Sequence, residues 1–572
     1  MKDDRSAVPA PQAGEPTPMT GGEALARQLV KEGVRDIFGV PGVQLDWAVD
    51  ALAGMQDELR FIVPRHEQAT SYMADGYARS SGRAGVSMVV PGPGMLNALS
   101  GLATGYACSS RMLFLAAQIP SDKIGRGLGM LHELPDQSGI LKSLVKWHGL
   151  AASPAAVPGV LRNAVQQLHS GRPRPVGVEI PQDVLQRSEP VALADATVAA
   201  EPGQVDEALI ERAAALLRRA RMPVIVAGGG IVAAGASAAL ARLAERLQAP
   251  VLVTENGTGA LSSRHPLALN WLSSRALLPH ADVVLSVGSR FIEPQGAPPR
   301  LRADARLISV NAEAQDLGPP RTPEAAICAD ARLALEALAA ALDGHRPAAD
   351  RTGDVQTLRA WTAAQLADIE PQCEWLRVLR SAIPDDGFLV SDLTQVGYPA
   401  HLGYPVYEPG TFISAGYQGT LGYAYTTALG VAAAHPDRAV VAIAGDGGFG
   451  WTLQELATAR RYHLPVVLVV FNNEAFGNVR LLQERQFGRS YATELTNPDF
   501  MHLAKAFGVD GMRVSNPAGL AGALAGALAA RRPALIEART GAFPSPWHLI
   551  RGGAPATPNP LGTPINVEGD TP

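Results

Sequence analysis

Residues 439–473 read AVVAIAGDGGFGWTLQELATARRYHLPVVLVVFNN. An apolar run of strand length stops at Gly445-Asp446-Gly447-Gly448. A helical segment fills 451–462, and a second apolar run, 465–471, stops at Asn472-Asn473. Apolar strands without polar alternation, separated by a helix, belong to a parallel sheet covered on both faces. Both polar clusters then fall at the carboxyl ends of strands, where open α/β sheets bind ligands. Glycine lets the backbone approach a phosphate closely, and the following helix points its first amides at the anion. The Asp446 carboxylate and the Asn473 amide oxygen are hard ligands suited to Mg2+, which takes one or two protein oxygens beside phosphate oxygens. The stretch reads as a platform for a diphosphate–magnesium unit.

The same alternation extends upstream and downstream. GFLVSD (387–392), FISAG (412–416) and PALIEAR (533–539) join the two runs above in one unit, 370–543. Before it, 204–345 holds four strand candidates: RMPVIVAGGGIV (221–232), APVLVTENG (249–257), ADVVLSVGSRF (281–291) and ARLISVN (305–311). A first unit, 20–187, opens with the helix GGEALARQLVKE (21–32). It continues through the short apolar runs DIFG, FIVPRH, GVSMVVPGPG, MLFLAAQ and VGVEIP. A proline- and alanine-rich stretch reaching about residue 203 reads as a linker. The expected fold class is α/β, with three doubly wound parallel-sheet domains. Residues 1–19, with scattered prolines and acidic residues, read as a disordered leader and lack the apolar core of a signal peptide. Residues 544–572 read as a tail or as a lid over the site.

Hydrophobic residues make up 47% of the 572 and charged residues 18%, the balance of an ordinary globular protein. The net charge of −5 provides no basic field, which sets nucleic acid aside. No apolar run is long enough for a membrane span. Three scattered cysteines, Cys108, Cys328 and Cys373, make neither a disulfide framework nor a thiolate metal site, so a reducing cytoplasm is the expected location.

The distance from Gly445-Asp446-Gly447 to Asn472-Asn473 resembles the thiamine-diphosphate binding motif, which starts with GDG and ends with NN. Arg65-His66-Glu67-Gln68 followed by Ala74-Asp75-Gly76-Tyr77-Ala78-Arg79 is similar to the RHEQ…ADGYAR segment of one family group. That group comprises acetohydroxyacid (acetolactate) synthase, benzoylformate decarboxylase and pyruvate oxidase. PGPGMLNALSGLATGY (91–106) and FGVPG (38–42) resemble its glycine-rich loop and first turn, and the likeness runs through roughly residues 20 to 545. The resemblance implies pyrimidine-binding, central and diphosphate-binding domains, with thiamine diphosphate and Mg2+ as cofactors. Glu67 falls on the family's glutamate. A carboxylate bonded to N1′ of the aminopyrimidine favours the imino tautomer, whose 4′-nitrogen deprotonates the thiazolium C2 to an ylide. The likeness further implies that Asp446, Asn473 and the backbone carbonyl of Ala475 hold the metal. Pro41, Gly42, Gln395, Gly419, Leu421, Gly445, Gly447, Gly448, Ala475, Phe476 and Gly477 would line the cofactor, with Leu421 wedging it into a bent conformation.

The pattern breaks where the substrate would bind. Val43 and Gln44 follow the first Pro-Gly in place of glycine or serine, and Leu131-His132-Glu133 stands where synthases carry Phe-Gln-Glu. His132 and His66 are candidates for proton transfer, since histidine donates and accepts near neutral pH. Gly228-Gly229-Gly230 lacks dinucleotide spacing, and flavin (FAD) is not favoured. The implied activity is a carboligase or lyase acting on 2-oxo acids, with an aldehyde or ketone as second substrate and an enamine intermediate. The alternatives are a simple 2-oxo acid decarboxylase and a flavin-dependent oxidase. A homodimer or homotetramer with active sites at the subunit interface is expected.

Overall fold

The apolar runs become the strands of three six-stranded parallel sheets. A computed structural model describes residues 15–198, 203–293, 296–550 and 557–564. The chain divides into two units, Met1–Ala78 with Arg83–Ala200 and Arg79–Gly82 with Glu201–Pro572.

In the first unit, β1 (Thr17–Thr20) pairs antiparallel with β8 (Ser188–Val191). Between them lie β2 (Asp36–Gly39), β3 (Arg60–Ile62), β4 (Gly85–Val89), β5 (Met112–Gln118), β6 (Trp147–Leu150) and β7 (Val176–Pro181), in the order β3-β2-β4-β5-β7-β6. This ribbon corrects two expectations. The leader expected through residue 19 is already a strand at Thr17, and the linker expected after 187 begins as that strand's partner. Met19 and Val191 are buried, which supplies the reason: the ribbon covers the core at the start of the helix Gly21–Lys31. Residues 1–14 of the expected leader lie outside the described residues.

The second unit contains two sheets. One is β9 (Pro223–Ala227), β10 (Val251–Val253), β11 (Ala268–Leu269), β12 (Val283–Val287), β13 (Arg306–Asn311) and β14 (Ala325–Cys328), ordered β11-β10-β9-β12-β13-β14. The other is β15 (Phe388–Ser391), β16 (Phe412–Ser414), β17 (Val440–Gly445), β18 (Val466–Asn472), β19 (Asp510–Val514) and β20 (Ala534–Arg539), ordered β16-β15-β17-β18-β20-β19. Counted from their own first strands, the first and last sheets share one order, 2-1-3-4-6-5, while the middle sheet runs 3-2-1-4-5-6. Each order reverses beside the first strand, which places a crevice at the carboxyl ends of β2 and β4, of β9 and β12, and of β15 and β17.

Two further expectations are revised. The helix expected over 451–462 begins at Asp446 as one turn, Asp446–Phe449, and resumes as Leu456–Arg461 after a tighter turn, so the amides behind the glycine cluster are its own. The segment after Thr540 is not a free tail over its described length. Gln372 Nε2 donates to Pro544 O at 2.6 Å, Arg275 Nη1 to His548 O at 3.2 Å, and Trp361 Nε1 to Pro558 O at 3.1 Å. Trp547 is buried, which pins the strap to the helices Ser274–Leu277, Thr352–Leu366 and Glu370–Ala382. Residues 551–556 and 565–572 lie outside the described residues.

The Gly228–Gly230 turn sits at the middle sheet's crevice and is filled from within. Gly228 N donates to Val287 O at 2.9 Å and Gly230 N to Gly288 O at 3.1 Å. A Cβ on Gly288, whose φ is +61°, would lie 2.6 Å from Gly230 Cα. Backbone thus packs on backbone, and the triple glycine has a structural reason of its own. Gly288→Ala is expected to destabilise the protein by roughly 2–4 kcal/mol, from left-handed strain plus overpacking. Denaturant unfolding checks it, and a loss below about 1 kcal/mol would contradict the interlock.

Candidate functional site

In the second unit the loops after β15, β17 and β18 converge. Asp446, 2% exposed, begins the short turn after β17. Burial pushes its carboxyl above the ordinary range, opposed by a bond from Asn497 and by the amides of Gly447 and Ala475. Asn497 Nδ2 donates to Asp446 Oδ2 at 2.8 Å and to Asn472 Oδ1 at 3.1 Å. Asn472 in turn donates to Glu537 Oε1 at 2.8 Å and accepts from Glu474 N at 3.1 Å. The two asparagines at the end of β18 therefore differ. Asn472 is buried scaffold, and its acceptance from Glu474 holds that residue at a left-handed φ of +55°. Asn473 is half-buried and donates its amide nitrogen to Gln395 Oε1 at 3.1 Å, leaving its carbonyl oxygen as the end available to a cation.

The space around these groups excludes side chains. A Cβ on Gly477 would fall 2.6 Å from Asn473 Nδ2, and one on Gly447 would fall 2.7 Å from the Phe476 ring. The Ala475 carbonyl accepts from Gly477 N at 2.8 Å and keeps a second lone pair. Asn478 Oδ1 is buried with no hydrogen-bond partner, while its Nδ2 donates to Leu393 O at 3.1 Å. Among the described residues no group of three or more His, Cys, Asp or Glu side chains is placed to hold a metal. The donor set available is one carboxylate, one amide oxygen and one backbone carbonyl, which matches a cation that brings phosphate oxygens of its own.

Leu421 stands 40% exposed between two left-handed glycines, Gly419 (φ +56°) and Gly422 (φ +76°). Gly422 starts the helix Tyr423–Ala434 and has no side chain with which to cap it. Asp392, at the end of β15, does so instead: its Oδ1 accepts from Ala424 N at 2.7 Å, and the Tyr423 amide also faces it. Its other oxygen is buried without a partner, and a Cβ on Gly448 would lie 2.9 Å from it. Burial drives the Asp392 pKa from 3.8 to about 7, against the two amides.

In the first unit the loops after β2, β3, β4 and β5 hold a second group. Glu67 opens the helix Glu67–Ser81, and its Oε2 accepts from Asn97 Nδ2 at 3.1 Å. Gly94 lies nearby: a Cβ there would stand in ordinary contact with Glu67 Cγ at 3.8 Å, but would fall 2.5 Å from Val90 Cγ2. His66 Nδ1 accepts from Gln68 N at 3.1 Å, so one ring nitrogen is spent on the helix start. His132 has a left-handed φ of +68°, its carbonyl abuts Gly92, and its Nδ1 is buried without a partner. Gly42 O accepts from Leu45 N at 2.7 Å beside exposed Pro41, and Gln44 Nε2 reaches Leu131 O at 3.3 Å. Glu133 accepts from Met130 N (2.9 Å) and Leu128 N (3.3 Å), and these amides hold its pKa low. Its charge shapes the loop, which presents Leu128, Met130 and Leu131 to solvent. Asn97, Asn497 and Asp392 went unnoticed in the sequence, where each stands alone without a motif.

Three family models match the chain. They are the N-terminal thiamine pyrophosphate (TPP) binding domain of thiamine pyrophosphate enzymes over residues 19–140, their central domain over 210–338, and their C-terminal TPP binding domain over 392–538. A probable 2-ketoarginine decarboxylase, AruI, of Pseudomonas aeruginosa is 35% identical over 504 residues, 86% of this chain and 88% of that protein. The acetolactate synthase isozyme 3 large subunit of Escherichia coli K12 is 32% identical over 540 residues, 89% of this chain and 92% of that protein. A probable acetolactate synthase large subunit of Methanococcus aeolicus is 30% identical over 555 residues, 91% of this chain and 92% of that protein.

The raised pKa of Asp392 has a measurable sign. The folded protein holds this proton more tightly than the unfolded chain does. Stability from this group is therefore full below 3.8 and is lost as pH rises through about 7. Asp392→Asn, which keeps the capping oxygen and cannot ionise, is expected to gain stability over the native protein as pH rises from about 5 to about 8. Urea unfolding of the cofactor-free protein at both pH values measures the difference. A difference that stays constant would refute the assignment.

Proposed function

The chain belongs to the thiamine pyrophosphate enzyme family, and from that premise we propose that it acts on 2-oxo acids with thiamine diphosphate and Mg2+. On this reading it makes or breaks the carbon–carbon bond beside the carbonyl. The observation that carries it is the donor set left free on the second unit: Asp446, the Asn473 carbonyl and the Ala475 carbonyl, with glycine at 447 and 477 where a side chain would intrude.

Bound thiamine diphosphate supplies a carbon nucleophile that adds to a 2-oxo carbonyl and takes up the electron pair as CO2 leaves. The chain's own residues do the rest. Asp446, Asn473 and Ala475 O hold the metal. Gln395 accepts from the Asn473 amide nitrogen, so that the amide oxygen would be the end available to the cation. Pro41, Gly42, Gly419, Gly445, Gly448, Phe476 and Gly477 line the cofactor, and Leu421 presents an exposed apolar side chain for its bend. Glu67 would share a proton with the aminopyrimidine, while Asn97 holds one of its oxygens. His132 and His66 are the candidate proton carriers. The spare ring nitrogen of His66 is free for that work, and the buried Nδ1 of His132 lacks a partner.

Ligation to an aldehyde or ketone is the leading fate of the decarboxylated substrate, in line with the acetolactate synthase relatives. Simple decarboxylation is the second reading, favoured by the 2-ketoarginine decarboxylase relative. Bound flavin is not favoured, because the Gly228–Gly230 amides at 228 and 230 serve their own sheet. We extend the proposal to a homodimer or homotetramer, in keeping with exposed Val43, Trp47 and Leu96 on the first unit and Tyr417, Trp451 and Phe487 on the second.

Thiamine diphosphate with Mg2+ is expected to raise the thermal midpoint, since a ligand of the native state stabilises it. Asp446→Ala should abolish that rise. Glu67→Gln should keep it while turnover falls by at least about 100-fold, the scale of a lost acid–base group. Incubation with pyruvate, 2-oxobutyrate and 2-ketoarginine, with mass-spectrometric product identification, separates hydroxyketone from aldehyde. Full turnover by Glu67→Gln would sink the proposal.

A further inference from the structure

The start of the helix Pro93–Cys108 holds Glu67 through Asn97, with Gly94 close beside it. These two positions are three apart and share one face. What fixes that turn lies behind it. Gly92, the residue before the helix, has a left-handed φ of +59° and no side chain with which to cap. Its carbonyl accepts the first helical bond, from Leu96 N at 2.9 Å, and its N–H donates to Gln137 Oε1, also at 2.9 Å. Both handles of Gly92 are therefore held, one by the helix and one by Gln137.

The orientation of the Gln137 amide is dictated in turn. Its Nε2 donates to Ala117 O at 2.9 Å and to Glu179 Oε1 at 2.8 Å. A flipped amide would set its NH2 against the Gly92 N–H and its oxygen against a carbonyl and a carboxylate. Glu179 is fully buried, yet its pKa lies below the ordinary value. Burial raises it, and bonds from His148, Ser138 and Gln137 outweigh that effect. His148 Nε2 lies 2.6 Å from Oε2 and Ser138 Oγ donates to it at 2.5 Å, while Gln118 Nε2 donates to Oε1 at 3.1 Å. Four side chains thus surround one charge whose outward effect is to orient Gln137.

We infer that Gln137, oriented by the buried Glu179, is a positioning residue that sets the Glu67 carboxylate by pinning the start of the Pro93–Cys108 helix. Glu179 and Gln137 are both buried, so the role inferred for them is indirect. They act through Gly92, and then through Asn97. The inference rests on the proposed role of Glu67, and its test separates the two.

The test compares Gln137→Met, which keeps the shape and loses the amide, with Glu179→Gln, which keeps an acceptor for Gln137. Glu67→Gln serves as control. Backbone hydrogen exchange of residues 92–97 in the cofactor-free protein is expected to speed up at least tenfold in Gln137→Met, and to stay within about threefold of native in Glu179→Gln. In the loaded protein, deuterium exchange at thiamine C2 is expected to fall by roughly 10–100-fold in Gln137→Met. Thiamine diphosphate affinity should stay within about threefold, because only the placement of Glu67 changes. A general loss of structure would lower affinity as well. If Gln137→Met does not fold, Gln137→Asn withdraws the amide by one methylene without placing an apolar group against Glu179. Unchanged exchange at 92–97 overturns the inference whatever Glu67→Gln does. Native C2 exchange in Glu67→Gln overturns the role of Glu67 and leaves the 92–97 result to be judged alone.

Discussion

The cation role proposed for Asp446 asks a carboxylate to be charged and buried at once, and these demands conflict. Removing an ionised carboxylate from water costs several kcal/mol unless donors replace the solvent. The last sheet meets the demand with a chain of fixed polarity. Arg513 and Arg539 donate to Glu537, which is 1% exposed, and these bonds with that of Asn472 outweigh burial and keep the Glu537 pKa low. Asn472 donates to Glu537, and Asn497 donates both to Asn472 and to Asp446. Neither end of the chain can reverse. A flipped Asn472 would turn its NH2 onto the Glu474 amide and its oxygen onto a carboxylate. The site is consequently oriented before any ligand arrives.

Much of the fold is written in the long apolar runs. Runs such as MLFLAAQ and PVVLVVF had to be buried on both faces, and they became β5 and β18 near the middle of their sheets. The strands that escaped reading are β6, β11, β14 and β19. Each lies at an edge or next to one, except that β11 is also only two residues long. At their edges β6 and β19 are partly buried or exposed along their whole length. WHGL and DGMRV accordingly carry no apolar run, and their positions are set by pairing with β7 and β20. The ribbon of β1 and β8 was hidden for a related reason. Its two halves are more than 160 residues apart in the chain, and one of them, SEPV, carries a proline that looks like linker.

The site divides along similar lines. Charged and glycine positions with a motif around them, Glu67, Asp446 and the 445–448 cluster, were legible because their spacing is itself the signal. Their supports were not. Asn97, Asn497 and Gln137 are single amides in helices and loops, and only the folded chain reveals that each meets a carboxylate. Amides suit this task because one end donates while the other accepts, so a single residue transmits direction as well as attachment. Spacing in sequence cannot express that.

The same point explains why neighbours in sequence part company at the strand ends. Where a parallel strand stops, side-chain directions alternate for the last time, so two adjacent polar residues face different partners. Asn472 turns into the sheet to Glu537, while Asn473 faces Gln395 and the loop after β15. Away from a strand end, at the start of the helix Glu67–Ser81, neighbours part too: His66 Nδ1 accepts from Gln68 N, while Glu67 accepts from Asn97. On the proposed reading the Asn472-Asn473 pair is therefore one scaffold residue and one working residue. Which is which follows from the bond each has already made: the residue whose polar end is still uncommitted is the one placed to meet a ligand.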